Sequence, residues 1–273
     1  MSVANFIPTI WTRSLLENLN TALVYGQPGV INRDYEGEIR GAGSSVKMNS
    51  IVGMSVFGYA RNADMAAPEE LTSAQVTLNI DQERAFSFQL DDVDNAQTQP
   101  KLRDAAMREA SYALAVDLDK HLAGAASAGA GLTGTYGTDP YEALVDAYTL
   151  LDENDVPQQG RFAIVPPFYH GLLRKDDRFV SFGTDGNRGT LLNAQIGTAA
   201  GFSVLTSNNV PETAGTYDIL FGHSIAWTMA MQVDKVEAYR LERRFADGVK
   251  GLNVYGSKIV RPEALGVMQV AKP

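Results

Sequence analysis

Apolar residues recur every three or four positions in three stretches of the chain, which is the spacing of an amphipathic helix. A short helix is predicted for residues 10–23, and a longer one for residues 100–126. The apolar stripe of the longer helix comprises Met107, Ala110, Leu114, Leu118 and Leu122. At about 1.5 Å per residue this helix would be about 40 Å long. A third helix should begin after Asp139, a good N-cap residue that is followed by Pro140 and, three positions on, by Glu142.

Alternating or continuous apolar runs predict strands before and after these helices. Residues 76–80 and 86–90 alternate, and the four polar residues between them predict a hairpin loop. Residues 161–165 and 217–221 are typical of buried strands. Near the end of the chain, two extended runs flank the glycine-containing stretch 246–251, which predicts a turn. The order of elements indicates a mixed α+β fold without regular βαβ units.

The region from residue 35 to residue 90 is rich in glycine and serine and contains strand patterns without a predicted helix. A β-ribbon on its own is only marginally stable in water. This ribbon therefore needs a surface to lie on, and that surface can belong to another chain.

Charged residues alternate with apolar ones in the extended run before the predicted turn. Arg240, Glu242 and Arg244 share one face of this run. A surface ion pair contributes only about 0–1 kcal/mol to a monomer, but such pairs can fix register and partner choice across an interface. An ordinary solvated strand face is the alternative. The predicted inter-subunit contact residues are Asp91, Asp92, Asp94, Arg240, Glu242, Arg243 and Arg244.

Composition narrows the possible functions. The chain has 273 residues, 45% of them hydrophobic, and a formal net charge of −9. That length supports a sizeable core, and the charge is unfavourable for general duplex binding, which needs clustered Lys and Arg. The absence of cysteine excludes disulfides and thiolate chemistry. The sequence has no apolar run near the roughly 20 residues that span a bilayer, and we predict neither membrane insertion nor a secretory signal.

Two short motifs invite a chemical interpretation. The stretch 129–134 has the glycine spacing of a dinucleotide loop, but a predicted helix precedes it, so a flexible link is favoured. Ser224 follows a predicted strand and precedes the helix-compatible run 227–231, as in a nucleophile elbow. A hydrolase of that kind needs a histidine after the serine, whereas the histidines are His121, His170 and His223. We therefore favour a tight turn and keep a serine hydrolase as the alternative.

Metal and cofactor sites have little support. The cluster of Asp91, Asp92 and Asp94 could bind Mg²⁺ or Ca²⁺, but hard cations usually draw ligands from several segments. The favoured interpretation is that these carboxylates lie at a strand end and face either water or an arginine of another subunit. His121 is expected to be a solvated residue near the end of its helix. We predict no catalytic residue, no metal, no cofactor and no enzymatic activity.

The order of elements resembles the major capsid proteins of tailed bacteriophages, which have the Hong Kong 97-type fold. The stretches that carry the resemblance are FSFQLDDVDNAQT, RFAIVPPFYHGLLRKDDRF, AGFSVLTSNNVP and YGSKIVRPEAL. The resemblance implies an N-terminal arm (1–36), an extended β-hairpin loop (37–90), a peripheral domain with a long spine helix (91–130), an axial domain (131–218), and a return to the peripheral domain with the C-terminal strands (219–273).

The resemblance also implies a function. Copies of the chain would form pentamers and hexamers of an icosahedral head that encloses double-stranded DNA without binding it specifically. The arm and the ribbon would each lie on an adjacent subunit. The protein would assemble in the host bacterial cytoplasm and remain in the virion. Because the arm starts almost at Met1, a separate scaffolding protein is expected, together with portal and decoration proteins. An encapsulin-type compartment is the alternative within the same fold.

Overall fold

The computed structural model describes residues 23–35, 45–51, 58, 61, 73–91, 101–134, 136, 139–176, 197–242 and 246–272. Its helices are α1 (Lys101–Gly129), α2 (Pro140–Glu153) and α3 (Pro167–Lys175). Its longer strands are β1 (Ser45–Ile51), β2 (Ser73–Asn79), β3 (Gln82–Asp91), β5 (Arg161–Val165), β7 (Phe202–Thr206), β9 (Thr216–His223), β10 (Trp227–Arg240), β11 (Ala246–Ile259) and β12 (Leu265–Ala271). The two-residue strands are β4 (Leu132–Thr133), β6 (Thr198–Ala199) and β8 (Glu212–Thr213).

The larger sheet has the strand order β4-β12-β9-β5-β7-β6, with β8 paired to β9. Strand β5 is buried along its whole length, as its continuous apolar run predicts. Helix α2 begins as predicted, because the Asp139 carboxylate accepts hydrogen bonds from the backbone N–H groups of Tyr141 (2.9 Å) and Glu142 (3.3 Å). Strand β12 pairs with β9, and β10 pairs with β11, so the segment after residue 218 contributes strands to the larger sheet and to a second sheet.

Helix α1 confirms the long helix predicted for residues 100–126, and it continues through Gly124 to Gly129. Met107, Leu114, Leu118 and Leu122 of the predicted stripe are buried in the main core. The stretch 129–134 is not a flexible link, because β4 within it pairs with the C-terminal strand β12.

The smaller sheet has the order β10-β11-β3, and β10 and β11 form a hairpin that is fourteen residues long on each side. Its strands pair from Trp227 with Ile259 to Arg240 with Asp247, so residues 246–251 lie within β11 and not in the connection between the strands. The prediction of a turn at 246–251 is therefore wrong. These glycines serve packing instead: a Cβ atom on Gly248 would lie 2.6 Å from the Tyr239 ring, and one on Gly251 would overlap the Phe86 ring.

The predicted pairing of residues 76–80 with residues 86–90 is also wrong. Strand β2 pairs with β1, and the two form the ribbon, whereas β3 pairs with β11. The chain changes sheets at residues 80–81. The change places the apolar side chains of β2 and β3 in different environments. A small cluster, the ribbon cluster, joins the ribbon to the hairpin and comprises Val46, Met48, Leu78, Ile80, Ala230 and Val254.

Residues 23–35 pack into the core of their own subunit. Leu23, Tyr25, Val30 and Ile31 are each at most 2% exposed. The backbone of Asn32 joins this segment to β10: its N–H donates to the Trp227 carbonyl (2.9 Å), and its carbonyl accepts from the Met229 N–H (2.9 Å). The described part of the predicted arm is thus a core element, whereas the helix predicted for residues 10–23 lies outside the described residues, apart from Leu23.

Candidate assembly surface

The distal half of the β10–β11 hairpin carries a cross-strand ion pair on each face. Arg240 donates to Asp247 (3.0 Å), and Lys250 lies 3.0 Å from Glu237. All four side chains are about half exposed, from 45% to 55%. Pairs this exposed add little stability. They hold the register of the hairpin and present both signs of charge to solvent.

Tyr239 is an exposed aromatic residue on one face of this hairpin. It retains 40% exposure, its ring lies over Gly248, and the Lys250 ammonium is 5.5 Å from the ring centroid. Aromatic side chains that are held rigidly at a surface are frequent anchors of protein interfaces. The sequence alone did not lead us to predict inter-subunit contacts for Tyr239, Glu237, Lys250 or Asp247. The alternation of residue types along the two extended runs was nevertheless a signal that could have indicated them.

The structure brings three of the predicted contact residues to one end of the smaller sheet. Arg240 is the last residue of β10, and the exposed Glu242 follows in the hairpin turn. Asp91 is the last residue of β3 and is paired in register with Ala246, directly after that turn. The other four predicted contacts lie outside the described residues: Asp92, Asp94, Arg243 and Arg244.

Polar groups also join α1 to the smaller sheet. Arg84 of β3 donates to Asp117 of α1 (2.7 Å), with both side chains about half exposed. His121, one turn further along α1, contacts Tyr255 edge-to-face with ring centroids 5.4 Å apart. His121 is thus half-buried and packed, which corrects the expectation of a solvated residue. Burial raises the pKa of Tyr255 to about 12, although the nearby charge of Arg84 opposes that rise.

Asp119 of α1 anchors the N-terminal segment from inside the core. Its carboxylate is 1% exposed and accepts hydrogen bonds from the backbone N–H groups of Val24 (2.8 Å) and Tyr25 (3.1 Å). Burial raises the pKa of Asp119, and the hydrogen bonds from the N-terminal segment partly oppose that rise. Burial also raises the pKa of Tyr25, whose ring lies in the same region as Asp119 and Asp218.

The geometry around Ser224 is that of a structural turn. Residues 224–226 form one turn of 3-10 helix, and the run 227–231 is the start of β10 and not a helix. Both ring nitrogens of His223 are engaged: Nε2 is 2.7 Å from the Gln159 carbonyl, and Nδ1 accepts from the Ile225 N–H (3.1 Å). His223 therefore positions the turn instead of serving as a general base.

Within the described ranges, His, Asp and Glu side chains nowhere gather in threes that could hold a metal ion. None of the described helices is long and apolar enough to cross a membrane. The main features of the described structure are therefore not those of a metal site or a membrane span. They are an exposed hairpin with paired charges, a ribbon that contacts its own subunit through a small cluster, and a long helix that packs on a sheet. These features are typical of a structural subunit.

Comparison with known proteins identifies the class. A model of the family described as phage capsid protein matches residues 75–267. The chain therefore belongs to the phage capsid protein family. It is a major capsid protein with the Hong Kong 97-type fold, a structural component of the virion capsid that associates with copies of itself and not an enzyme. No curated protein matches the sequence.

Solved structures agree with this assignment. A structure from Mycobacterium phage Che8 is 29% identical, covers 87% of this chain and 88% of its own, and has a TM-score of 0.72. The capsid structure of the Cyanophage P-SCSP1u shares the fold at 19% identity, with 85% of each chain covered and a TM-score of 0.67. A virus-like particle from Pyrococcus furiosus shares the fold at 14% identity, with coverages of 96% and 99% and a TM-score of 0.53. The family match favours the phage capsid over the encapsulin-type compartment.

Proposed function

We propose that this chain forms the pentamers and hexamers of an icosahedral bacteriophage head that encloses double-stranded DNA. The observation that carries the proposal is the family match over residues 75–267, which runs from β2 into β12. The net charge of −9 supports enclosure without specific binding, because an acidic wall repels packaged DNA. Assembly would take place in the host bacterial cytoplasm, with a separate scaffolding protein and with portal and decoration proteins as further partners.

The same fold supports a proposed division of the chain into five regions. An N-terminal arm (1–36) and an extended β-hairpin loop (37–90) would reach adjacent subunits. A peripheral domain (91–130) with the spine helix α1, an axial domain (131–218) and a C-terminal return to the peripheral domain (219–273) would form the body. Because residues 23–35 dock in their own core, this segment of the arm is not the part proposed to reach a neighbour.

The test is direct imaging of the assembled protein. The purified protein, with and without a co-expressed scaffolding protein, is examined by negative-stain electron microscopy and sedimentation velocity. Closed shells, or rings of five and six subunits, are expected. A protein that stays monomeric or dimeric in both preparations would contradict the proposal, and labelling by a reactive-serine probe would reopen the hydrolase interpretation at Ser224.

The hairpin end is proposed as an inter-subunit contact formed by Asp91, Asp92, Asp94, Arg240, Glu242, Arg243 and Arg244. Reversing the exposed charge with Glu242→Lys is expected to lower the fraction of protein in shells about tenfold, because like charges across an interface repel. Sedimentation of equal amounts of protein measures that fraction. Glu153→Lys, the same change at the exposed C-terminal end of α2, is the matched control and should assemble normally. Equal yields of shells from both variants would remove Glu242 from the interface.

A further inference from the structure

Five polar side chains converge between α1 and the smaller sheet. Asn253 and Tyr255 are two residues apart on β11 and therefore face the same side of the sheet. Arg84 lies opposite Asn253 in register, and its side chain reaches Asp117 on α1. His121, four residues after Asp117, contacts Tyr255. We call the three inner residues, His121, Asn253 and Tyr255, the polar seam, and Arg84 and Asp117 form its outer edge.

The polar atoms of the seam have no hydrogen-bond partner in the part of the chain that the structure describes. These atoms are Nδ1 of His121, both Oδ1 and Nδ2 of Asn253, and the O–H hydrogen of Tyr255, whose oxygen has Arg84 as a donor. Asn253 and Tyr255 are each only 1% exposed. More than nine in ten buried polar groups in native proteins are paired, either with protein or with ordered water. An amide with both ends unpaired, beside a hydroxyl whose O–H lacks an acceptor, therefore requires an explanation.

We propose that the polar seam is a binding site for ordered water molecules that join α1 to the smaller sheet. The seam has the groups that bind water. The Asn253 amide supplies one donor and one acceptor group, a hydroxyl such as that of Tyr255 can donate and accept, and Nδ1 of His121 supplies a further hydrogen-bonding atom. A buried water typically makes about three hydrogen bonds to groups that are otherwise unsatisfied. The half-exposed Arg84–Asp117 pair at the outer edge gives water a route to the seam.

This site goes beyond the proposed assembly function, and it changes how the helix is held. Direct hydrogen bonds between α1 and β11 would fix one relative position of helix and sheet. Bonds through water can re-form after a small displacement, because a water molecule can reorient and exchange. The apolar side chains of α1 then supply most of the attachment between helix and sheet, and the bound water satisfies the polar groups of the seam.

Two substitutions distinguish a hydrated seam from a dry one. Asn253→Leu removes the amide and Tyr255→Phe removes the hydroxyl. If water occupies the seam, each change removes hydrogen bonds and leaves the remaining partners poorly paired, so each melting temperature should fall by about 2 °C or more. If the seam is dry, Asn253→Leu removes an unsatisfied buried amide, and its melting temperature should rise. Tyr255→Phe then loses only the contact with the half-exposed Arg84, and its melting temperature should change little. Tyr112→Phe, at an exposed tyrosine of α1, is the control and should leave the melting temperature unchanged.

A density map of the full-length protein, sharp enough to show water, gives the second measurement. We expect peaks about 2.7–3.2 Å from Oδ1 or Nδ2 of Asn253. A higher melting temperature of Asn253→Leu, an unchanged melting temperature of Tyr255→Phe, or a map without such peaks would overturn the proposal. If Asn253→Leu does not fold, Tyr255→Phe and the map decide the question. Neither measurement depends on shell formation, so a failure of the seam proposal leaves the assembly proposal standing.

Discussion

Replacing Arg161 with alanine is expected to lower the free energy of unfolding by about 3–5 kcal/mol, the effect of breaking a buried charge network. The Arg161 side chain is fully buried at the start of β5. Its guanidinium donates to the carbonyls of Pro157 (3.0 Å), Tyr148 (3.3 Å) and Val156 (2.5 Å), and to the Asp152 carboxylate (2.7 Å). It also lies 4.2 Å from the centroid of the Tyr148 ring. Alanine would leave these acceptors unpaired where the loop after α2 meets β5.

Urea unfolding of the purified subunit measures this loss. Arg161→Lys should also be costly, because an ammonium cannot reproduce the planar set of donors that reaches three carbonyls and a carboxylate. Asp152→Asn is the matched control: this carboxylate is 41% exposed, so its removal should cost no more than about 1 kcal/mol. An Arg161→Ala variant within 1 kcal/mol of the parent would show that the network does not hold the loop.

Acid is expected to tighten the docking of residues 23–35 rather than release it. Burial raises the pKa of Asp119 above its ordinary value of 3.8, so the docked state binds a proton more readily than the open state. The contribution of Asp119 to docking is therefore greatest below pH 3.8 and is lost as the pH rises through the raised pKa. The groups that oppose this rise in pKa are hydrogen-bond donors, namely the amides of Val24, Gly26 and Tyr25 and the side chain of Asn209.

Hydrogen exchange at the amides of Val24 and Tyr25, corrected for the intrinsic effect of pH, measures this docking. Protection should increase as the pH is lowered from 7 towards 4. Asp119→Asn keeps an acceptor oxygen but cannot ionise, so its protection should show no such rise. Asp119→Leu removes the acceptor altogether and should expose the segment, at a cost of about 1–3 kcal/mol for the unpaired amides. A decrease in protection on acidification would show that the hydrogen bonds to the charged carboxylate outweigh its burial.

The helices could be predicted from local sequence because their signals are local. The stripe from Met107 to Leu122 determines which face of α1 is buried, and Asp139 with Pro140 marks the start of α2. Asp119 was missed although a signal existed: it occupies a buried position of α1 between Ala115 and Leu122. An acidic residue on a buried face indicates a partner, but the partner, the backbone of residues 24–25, is 94 or more residues away in the sequence.

Strand pairing could not be predicted in the same way, since pairing depends on distant parts of the chain. Residues 82–91 read as the second half of a hairpin with β2, yet their partner is β11. Asp247-Gly248 reads as a turn, yet Gly248 lies within a strand because the Tyr239 ring needs the space above it. Alternation along residues 236–242 indicated a charged strand face, whereas the point at which β10 ends and β11 begins required the register between the two strands.

The smaller sheet separates two apolar clusters of very different size. One face packs on the main core through α1, and the other holds the ribbon through six buried residues. Regions with few buried apolar contacts open at lower free energy than the rest of a protein. We therefore expect the ribbon to detach from the sheet at a lower free energy than the main core unfolds, because only the small cluster holds it. In a capsid built from such subunits, the ribbon is then the part that we expect to change position first.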